Sequence, residues 1–179
     1  YHRFLGRRVA IKEFFVKQAC RRREDGTVTL TSAAAREGLP PEDYRRLLAK
    51  FEREARKIAG KFDHPGIVQG EAYMVMNGVG YLVMRYVDGI TVDQWLRRLG
   101  RPPTEGELAA VMMPALEAVD YLHGLDEIHR DLTPKNVMIR PDGRPVLIDF
   151  GNSREGLDRS SYTSVALATS GYAPPEQCI

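Results

Sequence analysis

The helix-favouring stretch from Glu42 to Ala59 carries Tyr44, Leu47, Leu48, Phe51, Ala55 and Ile58 at three- and four-residue spacings, and Glu54 falls inside that apolar stripe. The spacing predicts a core-facing helix, entered after Pro40-Pro41. A carboxylate on its buried side needs a partner, because an uncompensated charge costs far more to bury than one helix face gains. Any fold this chain adopts must bring a cation or a set of donors to position 54.

Strands are predicted around that helix. Arg8 to Phe15 is a compact run rich in β-formers, and Glu71 to Val87 holds two more runs broken by the turn signal Asn77-Gly78, which predicts a hairpin. From Gln18 to Leu39 the chain reads as a polar loop containing Asp25-Gly26. A second helix is predicted from Thr104, which forms a capping box with Glu107, through Leu108, Val111, Met112, Ala115, Leu116, Val119 and Leu122 to Gly124. Its wide apolar face predicts a core helix. A loop from Ile128 to Lys135 follows, then strands at Asn136–Ile139 and Val146–Phe150 joined by Pro141-Asp142-Gly143, then a segment rich in hydroxyls. The shift from strand-rich to helix-led sequence near Asp88-Gly89 predicts two lobes, 1–87 and 88–179.

Composition narrows the functional classes. The 26 basic and 24 acidic residues leave a net charge of +2, which argues against a nucleic-acid or anionic-membrane footprint. The run Arg21 to Arg23 is followed at once by Glu24 and Asp25 and reads as a solvated surface turn. Cys20 and Cys178 have no CxxC or His spacing, so neither a zinc site nor a disulfide framework is suggested and a reducing compartment fits. No run approaches the roughly 18 apolar residues of a membrane span, and no secretory leader opens the residues shown. The expectation is a cytoplasmic domain, with any membrane anchor of the parent protein outside this stretch.

Four separated signatures carry the chemistry. They are Val9-Ala10-Ile11-Lys12, then Glu54 on its helix, then His129-Arg130-Asp131-Leu132 with Asn136, then Asp149-Phe150-Gly151. In this order they resemble the protein-kinase family. The fixed letters around Asp131 alone should arise by accident in roughly one such chain in ten thousand, so chance does not account for the set. The ending Gly171 to Glu176 is similar to the family's closing A-P-E segment and looks like the bacterial Ser/Thr branch. The resemblance covers all but the 18–39 loop. It implies an α+β, bilobal fold, with an antiparallel sheet plus one helix in the N-lobe and a mainly helical, incomplete C-lobe.

The resemblance also implies roles. Phosphoryl transfer passes through a loose transition state, so the protein supplies position and countercharge. Lys12 would hold the α- and β-phosphates of ATP with Glu54 as its ionic partner, Asp131 would accept the substrate hydroxyl's proton, and Asn136 and Asp149 would ligate Mg²⁺ through hard oxygens. Ala10 and Met138 would sandwich adenine, with Met84 guarding the back pocket and backbone groups of Arg85 and Val87 facing the purine edge. His129 is expected to be structural, packed beneath Phe150 in a stack that includes Ile58. Ser161, Thr163 and Ser164 stand where activation-loop phosphosites occur, with Arg130 as the phosphate's receptor, and Thr169 matches a peptide-positioning threonine.

Two departures qualify this reading. Thr133 stands where most Ser/Thr kinases have a lysine, and Lys135, four residues after Asp131, is the candidate for the missing countercharge. By the same resemblance, Tyr1 begins beyond the Gly-rich phosphate turn and Ile179 stops before the later helices, so poor stability and little transferase activity are expected of these 179 residues alone. The favoured expectation is transfer of the ATP γ-phosphate to Ser/Thr hydroxyls of protein substrates. The alternatives are a pseudokinase or nucleotide-binding scaffold without turnover and, less favoured because of Gly171 to Glu176, a small-molecule phosphotransferase.

Overall fold

The computed structural model describes residues 6–16, 20–30, 41–149 and 154–155. The chain divides into two units, Tyr1–Phe62 with Gln69–Tyr86, and Asp63–Val68 with Val87–Ile179. The segment Asp63–Val68 thus belongs with the later half of the chain, a division that a single cut near Asp88-Gly89 does not capture.

In the first unit, β1 is Val9–Glu13, β2 is Cys20–Arg22, β3 is Val28–Leu30, α1 is Pro41–Gly60, β4 is Gly70–Met76 and β5 is Val79–Arg85. β1, β5 and β4 form an antiparallel sheet in that order. Asn77 and Gly78, at φ 52° and 77°, turn β4 into β5 with both residues left-handed, the geometry that matches strand twist in a two-residue hairpin. α1 packs on β4 and β5. It buries Tyr44, Phe51, Glu54, Ala55 and Ile58, whereas Leu47, expected in the same stripe, is 42% exposed. The stripe is therefore narrower near the start of the helix than the spacing implies. Close approach needs Gly70, where a Cβ would stand 2.8 Å from the backbone of Ala59.

The stretch read as a polar loop contains a built hairpin instead. β2 and β3 pair antiparallel, Cys20 with Leu30 and Arg22 with Val28. The turn is braced by Asp25, whose carboxylate accepts the N–H and the hydroxyl of Thr27 at 2.9 and 2.7 Å. Cys20 and Val28 point inward, 3% and 1% exposed, while Arg21 and Arg22 lie exposed on β2 rather than in a turn. Two inward side chains suffice to anchor so short a hairpin, and its polar outer residues conceal it from any reading based on hydrophobic runs.

In the second unit, β6 is Ile90–Thr91, α2 is Val92–Leu99, α3 is Glu105–His123, β7 is Glu127–Ile128, β8 is Val137–Ile139, β9 is Pro145–Leu147 and β10 is Arg154–Glu155. β6, β8 and β9 form one antiparallel sheet and β7 pairs with β10. α2 is an addition to the expected elements, although Thr91 and Gln94 form a reciprocal capping box at its start. α3 begins at the expected cap, Thr104 with Glu107. Val111, Ala115, Ala118 and Leu122 are buried, and α3 packs on β9. Leu108 and Leu116 are 44% and 49% exposed, so among the described residues this helix buries one stripe rather than a wide face. Asp63–Val68 is tied in by a parallel bridge from Ile67 to Leu147 and by the Asp63 N–H donating to the Tyr121 hydroxyl at 3.0 Å. No helix among the described residues is long and apolar enough to cross a membrane.

Gly70→Ala should lower stability by about 1–3 kcal/mol, since the added methyl meets backbone; Gly60→Ala, with open space around it, should be neutral or stabilising, and thermal unfolding of both variants reads the contrast. Hydrogen bonds from Arg101 and then from Thr104 hold the Glu107 carboxyl down to about 2 from an ordinary 4.5. A carboxyl with a depressed pKa stabilises the folded state above its ordinary value and loses that contribution as pH falls toward the depressed one. The fall in melting temperature between pH 5 and 2.5 should therefore be shallower in Glu107→Gln than in the parent, by scanning calorimetry.

Candidate active site

In the first unit the chemistry centres on α1. Glu54 is 7% exposed, and the Lys12 ammonium on β1 donates to its Oε1 at 2.8 Å. This is the cation that the buried carboxylate requires. Strand pleating puts Ala10 on the same face as Lys12, and the β1–β5 register sets Ala10 opposite Met84 and Lys12 opposite Leu82. The Lys12 ammonium also lies 5.9 Å from the centre of the Phe51 ring, one turn before Glu54. The Arg85 backbone N–H donates to the Gln69 carbonyl at 2.9 Å, so that group is not offered to a purine.

The second unit gathers Asp131, Asn136, His129 and the approach to Asp149. The Asn136 side-chain amide donates to the Asp131 backbone carbonyl at 2.8 Å and to its Oδ2 at 2.9 Å. Both acceptors can only accept, which fixes the amide orientation: the nitrogen is committed to Asp131 and Oδ1 is the atom turned elsewhere. The loop is closed by the Asn136 N–H donating to the Thr133 carbonyl, and Ile148 is drawn in by donating its N–H to the Asn136 carbonyl, each at 2.9 Å. His129 is 3% exposed. Its Nδ1 accepts the Asp131 N–H at 3.3 Å, so the ring carries its proton on Nε2, which donates to the Ile148 carbonyl at 3.2 Å. One imidazole thereby links the residue before Asp149 to Asp131.

Backbone strain marks the same place. Among the described residues, the non-glycine positions with positive φ are Asn77, Asp126, Arg130 and Asp149, the last two at 62° and 60°. Each left-handed non-glycine residue costs on the order of 1 kcal/mol or more, and such residues persist where surrounding bonds over-determine them. Motifs in the sequence single out Arg130 and Asp149 but carry no signal of their conformation.

The remaining expected positions are placed as follows. Met84, Val87 and Met138 are half-buried, with Met138 paired to Thr91 between β8 and β6. Thr133 is 6% exposed, and Lys135 is exposed on the turn before β8. Phe150, Ser161, Thr163, Ser164, Thr169 and Glu176 lie outside the described residues. His129→Ala should cost about 2 kcal/mol or more in urea unfolding, because it deletes a buried ring and both of its hydrogen bonds.

Comparison with known proteins gives this geometry its family. The protein kinase domain family matches residues 10–178. Serine/threonine-protein kinase B of Synechocystis sp. is 33% identical over 147 residues, covering 76% of this chain and 25% of that protein. Serine/threonine-protein kinase PknB of Mycobacterium tuberculosis is 34% identical over 135 residues, covering 72% and 21%. The chain thus spans about a quarter of the length of the curated relatives it matches. A solved structure titled "PpkA-294 apo form" superposes with a TM-score of 0.80 at 27% identity, covering 99% of this chain and 61% of that one. With an antiparallel sheet and one long helix in the first unit and a helix-led second unit, the fold is α+β, and the chain belongs to the protein kinase domain family.

Proposed function

We propose that this domain, within its parent protein, transfers the γ-phosphate of ATP to serine or threonine hydroxyls of protein substrates, with Mg²⁺ as cofactor. The observation that carries the reading is the Asn136 amide, which commits both of its protons to Asp131. That arrangement holds a carboxylate as an acceptor for a hydroxyl proton and leaves the amide oxygen turned away from Asp131. Asn136 Oδ1 and the Asp149 carboxylate are hard oxygen donors, so the residues present suit Mg²⁺. When bound, the ion neutralises charge on the β- and γ-phosphate oxygens.

The chain's own residues do the rest. Lys12, held by Glu54, presents its ammonium to the α- and β-phosphates, and Ala10, Met84, Val87 and Met138, with the Arg85 carbonyl, receive the adenine. Asp131 orients the substrate hydroxyl and takes its proton. His129 touches no reactant in this scheme; it positions Asp131 and the Ile148–Asp149 backbone. Lys135 supplies positive charge that buried Thr133 does not. Phosphorylation at Ser161, Thr163 or Ser164, read by Arg130, would regulate the activity. A cytoplasmic location belongs to the same reading.

Buried Thr133 in place of a cation favours the second reading, a nucleotide-binding scaffold without turnover. Radiolabelled-ATP transfer by the full-length protein separates the two. Asp131→Asn should lower kcat by about 10²–10⁴ while nucleotide binding persists. Lys135→Ala should lower kcat by about tenfold or more, a loss of about 1.4 kcal/mol in transition-state stabilisation. Nucleotide binding with no transfer by the unsubstituted protein selects the scaffold, and an unchanged rate in Lys135→Ala removes that residue from the mechanism.

A further inference from the structure

The β2–β3 hairpin lies in the connection between the strand that bears Lys12 and the helix that bears Glu54, and it touches both elements. Toward β1, Arg22 forms an ion pair with Glu13, the residue after Lys12, and the Cys20 N–H donates to the Val16 carbonyl at 2.7 Å. Toward α1, Cys20 and Val28 form a buried cluster with Tyr44 of the helix and Val79 of β5. The Tyr44 hydroxyl donates to the Gly78 carbonyl at 2.9 Å and lies 3.9 Å from the Cys20 sulfur. Burial first, then the neighbouring Cys20, push the Tyr44 phenol well above its ordinary range, so it stays a neutral donor.

A row of rings leads from this cluster to the ion pair. Phe14 lies 5.5 Å from Tyr44 and 5.4 Å from Phe51, and Phe51 in turn faces the Lys12 ammonium. α1 packs on β4 and β5 along its buried side, and two contacts hold it near its ends. Ala59 is pressed on Gly70 near its C-terminal end, and Tyr44 is seated in the hairpin cluster near its N-terminal end, with Glu54 between them. If the N-terminal hold loosened, the helix would pivot near Ala59. Glu54 lies about 7.5 Å along the axis from there, and a tilt of about 10° would carry it about 1.3 Å from Lys12. That displacement is enough to spoil a 2.8 Å contact.

We infer that the hairpin formed by residues 20–30 is a positioning clamp for the Lys12–Glu54 pair, with Tyr44, Val28 and the Arg22–Glu13 ion pair as its working contacts. What the pair then does rests on the phosphoryl-transfer reading above; the clamping does not.

The test uses the full-length protein carrying Val28→Ala, Tyr44→Phe, Arg22→Glu, or the exchanged pair Glu13→Arg with Arg22→Glu. Hydrogen exchange followed by mass spectrometry compares α1 amides from 46 to 58 with amides 71–75 of β4 and 82–85 of β5, which lie away from Gly78 and Val79 where the cluster itself touches the sheet. Clamping predicts exchange about fivefold faster in α1 for the three single variants with those strand amides unchanged, and recovery of at least about half the effect of Arg22→Glu in the exchanged pair. In parallel, kcat should fall by about threefold to tenfold with KM for the peptide unchanged. Equal acceleration of α1, β4 and β5, or no change in α1, overturns the clamp, the first because it would show general destabilisation. Exchange needs no turnover, so absence of phosphoryl transfer in the unsubstituted protein counts against the kinase reading alone, while α1 exchange decides the clamp. Val28→Ala deletes two buried methyl groups and Tyr44→Phe one buried hydroxyl, whereas Arg22→Glu acts at the surface, so the remaining variants still decide the matter if one of them folds poorly.

Discussion

Burying Glu54 beside Lys12 is the constraint around which the first unit is arranged. A carboxylate that is 7% exposed has given up most of its hydration, and only a cation at 2.8 Å with good geometry offsets that loss. The contact joins a strand and a helix 42 residues apart in sequence. Its length therefore depends on how closely α1 is pressed to the sheet. Gly70 and the aromatic row of Phe14, Tyr44 and Phe51 set that spacing through side-chain volume and the absence of a Cβ. The ion pair is thus less a source of stability than a gauge of packing, since the cost of desolvating two charges offsets most of their attraction.

The second unit solves a different problem. Here a loop that carries Asp131 and Asn136 must hold its shape without much apolar surface, and it does so with hydrogen bonds. Asn136 locks Asp131, His129 links Asp131 to Ile148, and the Ile148 N–H returns to Asn136. These bonds form a closed circuit, which is what allows Arg130 and Asp149 to remain in left-handed conformations that neither would choose alone. Strain at Asp149 and rigidity at Asp131 are consequences of the same network.

The parts of the fold legible in the sequence are those decided within a few residues. Thr104 and Glu107 announce α3, Asn77-Gly78 announces the β4–β5 turn, and the apolar spacing announces α1. Thr91 and Gln94 give an equally local signal for α2, but the eight-residue helix behind them is too short for its apolar spacing to stand out. The β2–β3 hairpin is illegible for another reason: it rests on Cys20 and Val28 meeting Tyr44 and Val79, a cluster assembled from distant positions. Leu47, Leu108 and Leu116 fit their helical stripes and still face solvent, because periodicity reports which face is apolar and not what lies opposite it.

By itself the sequence determined the chemical inventory: a lysine on a strand, a carboxylate on an apolar helix face, and an aspartate and asparagine five residues apart beside a histidine. Residue identity fixes which groups can carry charge, donate or accept. Only the tertiary structure decided that Lys12 meets Glu54 within hydrogen-bonding distance, that Asn136 turns its nitrogen toward Asp131, and that the His129 proton sits on Nε2. Those outcomes depend on distances and angles between groups that only packing brings together, and a hydrogen bond is lost with an error of about 1 Å, far finer than any spacing rule along the chain resolves.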